Sequence, residues 1–232
     1  MRELVKVILF TAVCGMFLGS VAVNTASAQN KLQEIKKRMD EHNKALTTLR
    51  AKVTMVKTNA QLGGDSDTQI GTVIYAKGKS REPLVRLDWE KPEESLAIKN
   101  GQYVMYRPKL KIAYIGTTKS AGEKGKAGSA LAFMSMSKAE LDVNYTIRLL
   151  GENETLKSGV QTWHLELLPK TKSSYKSAEI WVDPDGMPHQ TKIIEMNNDT
   201  TTVLLTNLEK HVKLDGSAFQ IKVPDGTKIQ KS

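Results

Sequence analysis

The stretch Leu84-Val85-Arg86-Leu87-Asp88-Trp89-Glu90 places an apolar side chain at every second position. Val85, Leu87 and Trp89 fall on one phase, and Arg86, Asp88 and Glu90 on the other. A period of two marks a strand with one face in a core and one in water. Pro92 follows, and then Leu96 and Ile98 alternate with Ala97 and Lys99. Asn100-Gly101 comes next, the residue pair best suited to a two-residue hairpin turn. The same pattern recurs downstream. Trp163, Leu165 and Leu167 alternate with Thr162, His164 and Glu166, and Phe219, Ile221 and Val223 alternate with Gln220 and Lys222, which predicts a further strand there. Asp185-Gly186 is a second strong turn signal and residues 151–153 a weaker one. Pro92, Pro108, Pro184 and Pro224 stand at the ends of runs, where a missing N–H harms a sheet least. Roughly ten strands in succession, joined by short turns, describe an antiparallel barrel or a strongly curved sheet.

Two segments break the period. Leu32, Ile35, Met39, Leu46 and Leu49 fall within a ~100° arc at 3.6 residues per turn, with Lys36, Lys37, Arg38, Asp40 and Glu41 mostly elsewhere. An amphipathic helix is expected there, with strands beginning after Arg50. Residues 121–128 are rich in Gly, Lys and Ala and read as a loop. Residues 130–137 then suggest a short helix with Leu131, Phe133, Met134 and Met136 inward. The Lys/Ser stretch 170–177 reads as an exposed hairpin loop.

Residues 1–28 have the layout of a cleavable secretory signal. Arg2 and Lys6 give a basic start, residues 7–23 are almost uninterrupted apolar sequence, and Ala26-Ser27-Ala28 offers small residues for a peptidase. A membrane anchor is the alternative, although the apolar run sits at the low edge of spanning length. Cleavage after Ala28 would leave one domain, 29–232. Cys14 is the only cysteine and lies inside the apolar run, after Val13, so neither a lipid attachment site nor a disulfide is expected. The formal net charge is +9, and loss of Arg2, Glu3 and Lys6 with the leader lowers it by one. That surplus suits anionic partners such as phospholipid head groups, or serves solubility alone.

Catalytic chemistry finds little support. None of the four histidines, His42, His164, His189 and His211, pairs with another at metal-ligand spacing. Neither a nucleophile elbow nor a phosphate-binding glycine loop is present. Glu90, Glu93 and Glu94 cluster around Pro92, which reads as a solvated rim rather than a glycosidase pair. His164 lies on the polar phase of its strand and is expected to be solvated. The aromatics occupy the apolar phase of strands, which argues against nucleic acid as a partner. No enzyme, metal or cofactor is expected.

Three segments in order resemble the LolA-type outer-membrane lipoprotein carriers. The first runs Arg81-Glu82-Pro83-Leu84-Val85-Arg86-Leu87-Asp88-Trp89, then Pro92, Asn100-Gly101 and Tyr106-Arg107-Pro108. The second is Ile180-Trp181-Val182-Asp183-Pro184-Asp185-Gly186-Met187-Pro188, and the third Phe219-Gln220-Ile221-Lys222-Val223-Pro224-Asp225-Gly226. The resemblance implies an α+β, mainly antiparallel fold. It would be an incomplete, unclosed barrel of about ten to eleven strands, with a helical lid over an apolar cavity. Leu32, Ile35, Met39, Val85, Leu87, Trp89, Leu96, Ile98, Tyr103, Met105, Leu131, Phe133 and Met134 would line the cavity and lid. Arg81 matches the family arginine that tethers the lid, and Arg86 is the alternative. The implied role is a periplasmic, monomeric carrier of lipoprotein acyl chains. It would load from an inner-membrane release transporter and unload to an outer-membrane receptor or the membrane surface. A lipid- or glycolipid-binding or sensing protein of the same fold is the second reading, and an envelope hydrolase the third. Methionines at Met39, Met55, Met105, Met134 and Met136 would suit a pliable lining, or plain core filling.

Overall fold

The computed structural model describes residues 21–78, 83–117 and 136–231. Among these, twelve strands form a single sheet. They are β1 (Thr48–Thr58), β2 (Ser66–Ala76), β3 (Leu84–Glu90), β4 (Glu93–Lys99), β5 (Gln102–Arg107), β6 (Ile112–Thr117), β7 (Tyr145–Thr155), β8 (Gln161–Pro169), β9 (Tyr175–Val182), β10 (Pro188–Glu195), β11 (Thr200–Lys210) and β12 (Lys228–Lys231). Their spatial order is β12-β6-β5-β4-β3-β2-β1-β11-β10-β9-β8-β7. β12 and β7 are therefore two free edges, and the barrel is unclosed. Two meanders meet where β1 pairs with β11, from Leu49 opposite Lys210 to Thr58 opposite Thr200. Pairing is antiparallel throughout except for β12, which lies parallel to β6.

The turn chemistry works as its residues dictate. Asn100 and Gly101 have φ of 52° and 72° between β4 and β5, the double positive φ that closes a two-residue hairpin with the twist of its strands. The strand count exceeds the expected ten to eleven, and three local expectations fail for identifiable reasons. Residues 151–153 lie inside β7 as bulges, with register shifts either side of Gly151 and Asn153 at φ 61°. Gly and Asn mark bulges as well as turns. The chain reverses instead where the Leu156 amide donates to the Val160 carbonyl. Residues 219–223 form no strand. Gly216–Phe219 is a 3-10 turn, and β12 begins five residues after Val223. Leu49 belongs to β1, since the opening helix ends at Ala45. A buried leucine one turn past the helix end satisfies both periods.

Two α-helices are described. α1 (Val21–Ala45) lies over the sheet, and its residues Ile35 and Met39 are buried in the main core. It runs through Ala26-Ser27-Ala28, so cleavage after Ala28 would leave its last 17 residues, 29–45. α2 (Lys138–Asn144) leads into β7. Ser137 caps it, accepting from the Glu140 amide while the Glu140 side chain accepts from the Ser137 amide.

The β9–β10 turn fixes how deeply α1 sits. Asp183 accepts from the amides of Asp185 and Met187, at 2.9 and 2.8 Å, which shapes the turn. Gly186, at φ 88°, then meets the helix backbone: a Cβ there would lie 2.3 Å from the Arg38 carbonyl oxygen and 2.7 Å from the Met39 nitrogen. Arg38 Nη1 donates to the Pro184 carbonyl at 2.8 Å across the same contact. Burying Ile35 and Met39 is worth about 1.5–3 kcal/mol each, but only if the helix approaches this closely. Gly186→Ala should therefore cost about 2–4 kcal/mol, from positive φ and a clash with immovable backbone. Urea unfolding would measure it, and a parental midpoint would show that α1 does not need this approach.

Candidate functional site: the covered inner face of the sheet

The inner face is built from the alternating phase of each strand. Leu87 lies opposite Leu96, and Leu96 opposite Met105, in one row across β3, β4 and β5. Val85, Ile98 and Tyr103 make the next row. Leu87, Trp89, Leu96, Tyr103 and Met105 are buried in one core with Ile35 and Met39, and Leu32, Val85, Ile98 and Met136 pack against it. Ten of the thirteen expected lining residues thus come together. Leu131, Phe133 and Met134, with Arg81 and residues 130–135 of the helix expected at 130–137, lie outside the described residues.

Part of this interior is fully enclosed. Ile35, Leu87, Leu165 and Ile180 have no exposed surface at all. Side chains so enclosed give up space only when a neighbour moves, and among the described residues α1 packs on this core with α2 at its flank. Their junction is polar. Lys36, expected on the solvent side, has its side chain only 7% exposed and donates to Asp142 of α2 at 2.6 Å. Asp142 also accepts from Lys138, and Asp40 of α1 from the Lys138 amide. Burial alone would raise the Asp142 pKa, but the hydrogen bonds from Lys138 and Lys36 outweigh it and hold the carboxyl below its ordinary value. Farther along α1, Lys31 and Arg38 lie over the Trp163 ring at 4.9 and 5.6 Å, a cation–π seat on the inner face of β8.

Among the described residues, Arg86 donates to backbone carbonyls of the C-terminal segment. Its Nη1 donates to the carbonyls of Ala218 and Gln220, at 3.2 and 3.0 Å, while Asp88 holds its other nitrogens. Arg86 lies on the outer phase of β3, so among the described residues it fastens the C-terminal strap to the outside of the sheet. Within 219–223, where the alternation predicts a strand, the Gln220 carbonyl thus bonds a side chain rather than a neighbouring strand. Phe219, 2% exposed, is buried beneath the strap.

Two other features bear on ligand chemistry. His42 Nε2, His189 Nδ1 and Thr191 Oγ1 are buried without a hydrogen-bond partner. A cleft of about 420 Å³ opens between the β1–β2 and β10–β11 hairpins, with Lys57, Asp65, Asp67, Glu195 and Asp199 in its wall. Its acidic lining does not suit an acyl chain. His164, expected in solvent, is enclosed instead: its side chain is 13% exposed between Glu154 and Glu179. No group of His, Cys, Asp and Glu suited to a metal ion occurs among the described residues. No described helix is long and apolar enough to cross a membrane.

Sequence reasoning missed Lys36, Asp142 and the carboxylates around His164. Only α2 left a local trace, the Ser137-x-x-Glu140 capping box.

Comparison with known proteins agrees with this architecture. The family described as Outer membrane lipoprotein carrier protein LolA matches residues 63–222. No curated protein matches the chain. An uncharacterised conserved protein from Thermus thermophilus is 14% identical, with a TM-score of 0.54 over 89% of this chain and 99% of that one. MucB is 16% identical, with a TM-score of 0.51 over 85% of this chain and 63% of its own. At such identities these likenesses concern the fold alone. The family match spans more than half of the chain, and the chain belongs to the LolA family of outer membrane lipoprotein carrier proteins.

Proposed function

We propose that this protein is a periplasmic carrier that shields lipoprotein acyl chains under α1, on the inner face of its unclosed sheet. The observation that carries this reading is a continuous apolar inner face covered by a helix whose attachments to α2 are polar. Family membership supports a carrier of lipids or lipoproteins in the periplasm. The specific route, from an inner-membrane release transporter to an outer-membrane receptor or membrane surface, is proposed on the same basis. So are export on the 1–28 signal and service of domain 29–232 as a monomer.

The physics suits transport rather than storage. Each methylene removed from water favours binding by about 0.8 kcal/mol, so an always-open apolar pocket would hold a long chain nearly irreversibly. Here the interior repacks when empty. Closing α1 against the core and restoring the Lys36–Asp142 pair offset part of the ligand's gain. The carrier can then release its cargo to a membrane or receptor.

The test is release of newly made triacylated lipoprotein from spheroplasts by the protein purified from periplasm. Lipoprotein recovered in the supernatant as a one-to-one complex is the expected result. Lipoprotein left wholly in the membrane would refute the carrier role. The latch makes a second expectation. Asp142→Ala leaves the Lys36 ammonium almost buried and unpaired, and should cost about 2–3 kcal/mol in urea unfolding, less than for a fully buried pair because Asp142 is partly exposed. Lys36→Met replaces the buried charge by an apolar chain and should stay within about 1 kcal/mol of the parent while loading lipoprotein faster. Equal destabilisation by both, with unchanged loading, would remove the pair from the gating account.

A further inference from the structure

The outer face of β7, β8, β9 and β10 carries a side-chain cluster that neither the core nor the inner face uses. His164 lies opposite Trp181 in the β8–β9 register, and their rings stack with centroids 4.1 Å apart and planes 16° off parallel. Both imidazole nitrogens face carboxylates: Nδ1 is 3.0 Å from Glu154 Oε1, and Nε2 is 3.0 Å from Glu179 Oε2. Trp181 Nε1 donates to the second oxygen of Glu154 at 2.9 Å. The charged groups around the ring are Glu154 from β7, Glu179 from β9, and Lys192 of β10, which donates to Glu179 at 3.4 Å. Beside them Arg148 of β7 pairs with Glu166 of β8.

Glu154 reaches this position because β7 is bulged there. The register shifts between Leu149 and Gly151 and again between Gly151 and Glu154. Gly151 leaves the space: a Cβ on it would lie 2.2 Å from Glu154 Oε1. The Glu154 side chain thus folds back over its own strand and ties the bulged end of β7 to β8 and β9. β7 is also one of the two free edges of the sheet among the described residues.

An ionised carboxylate only accepts hydrogen bonds, so a ring held between two of them must donate from both nitrogens. We propose that His164, Glu154 and Glu179 form a proton-dependent clamp on the bulged free edge of the sheet, closed while His164 is an imidazolium and released when it loses its proton. Neutral His164 has one N–H and can serve only one of the two carboxylates. Glu179 keeps the Lys192 ammonium as a charged partner, whereas Glu154 keeps only the uncharged indole N–H of Trp181 among the described residues, so Glu154 is the one let go, and with it the distal end of β7. Burial alone would lower the His164 pKa, but the bonds to Glu179 and Glu154 outweigh it and raise it above the ordinary value. The Glu179 carboxyl is held down, chiefly by the His164 bond. The sign follows: a group whose folded pKa is raised stabilises fully below its unfolded pKa, and that contribution disappears as pH rises through the folded value. The clamp is independent of whether the inner face takes an acyl chain.

The test is amide hydrogen exchange at residues 151–155 of the purified protein across the His164 titration, which is followed by its imidazole proton resonance and assigned with His164→Gln. The His164 midpoint should lie above the ordinary histidine value. Protection at 151–155, corrected for intrinsic exchange, should fall about tenfold as pH passes it. Trp181 emission, assigned by its loss in Trp181→Phe, should rise in step, because a stacked imidazolium quenches indole more than neutral imidazole. Glu154→Gln, at a position with a part-exposed side chain, should fold normally, lower the midpoint and leave 151–155 weakly protected at every pH. A midpoint at or below the ordinary value, protection that does not change through it, or wild-type pH dependence in Glu154→Gln would each overturn the clamp.

Discussion

A sheet of twelve strands with an apolar inner face and two edges that never meet has to be covered by something other than itself. Closed barrels hide their interior by strand pairing all round. Here β12 and β7 are left apart, and the inner rows of Leu87, Leu96 and Met105 share one core with Ile35 and Met39 of α1. The depth at which α1 sits rests on its backbone contact with Gly186. The other features of the molecule follow from that arrangement. Trp163 accepts cations from the helix, α2 is placed to hold its flank, and the free edges need their own protection against strand addition. β12 presents Lys228 and Lys231 along only four residues, and β7 is bulged and carries Arg148.

The way α1 is held matters as much as its being there. Apolar contact is non-directional and would favour closure over any apolar filling. The Lys36–Asp142 pair and the Asp40–Lys138 contact act differently, since they exist at one helix position and vanish when the helix lifts. In the proposed carrier, a wall fastened this way would have two distinct states, one with these bonds and one without. Such bistability is what a protein needs if it must both enclose an apolar chain and surrender it.

How far the sequence could be read depends on the range of each interaction. Alternation at 84–90 and 161–169, and Asn100-Gly101 between strands, are local, and they appear in the structure as strands and a tight turn. The inward rows follow automatically, because a strand's phase fixes its face. The Lys36–Asp142 and Arg86–Gln220 contacts join residues more than one hundred positions apart. The expectation of a solvated His164 failed similarly. The polar phase was correct, but the neighbours that enclose it come from β7 and β9. Phe219 misled in the opposite sense. It is as buried as the alternation implied, yet beneath a strap on the outer face rather than in a strand.

That outer face is the less obvious half of the design. A sheet with one solvated face would leave it smooth and polar, but here Phe219 and Trp181 are buried on it, 2% and 8% exposed. The strap fastened by Arg86 stiffens β3 and β4, and the His164 cluster joins β7, β8 and β9. Both devices brace the sheet from behind, at positions remote from the β1–β11 seam that joins the two meanders. Bracing the sheet directs any opening to the opposite side. The strands are held by ladders, strap and the His164 cluster, whereas α1 is joined to the sheet by side-chain packing, the Gly186 approach and a few polar contacts rather than by a ladder. In the proposed carrier, rigidity on the outside of the sheet is therefore what would leave the helix as the wall that moves.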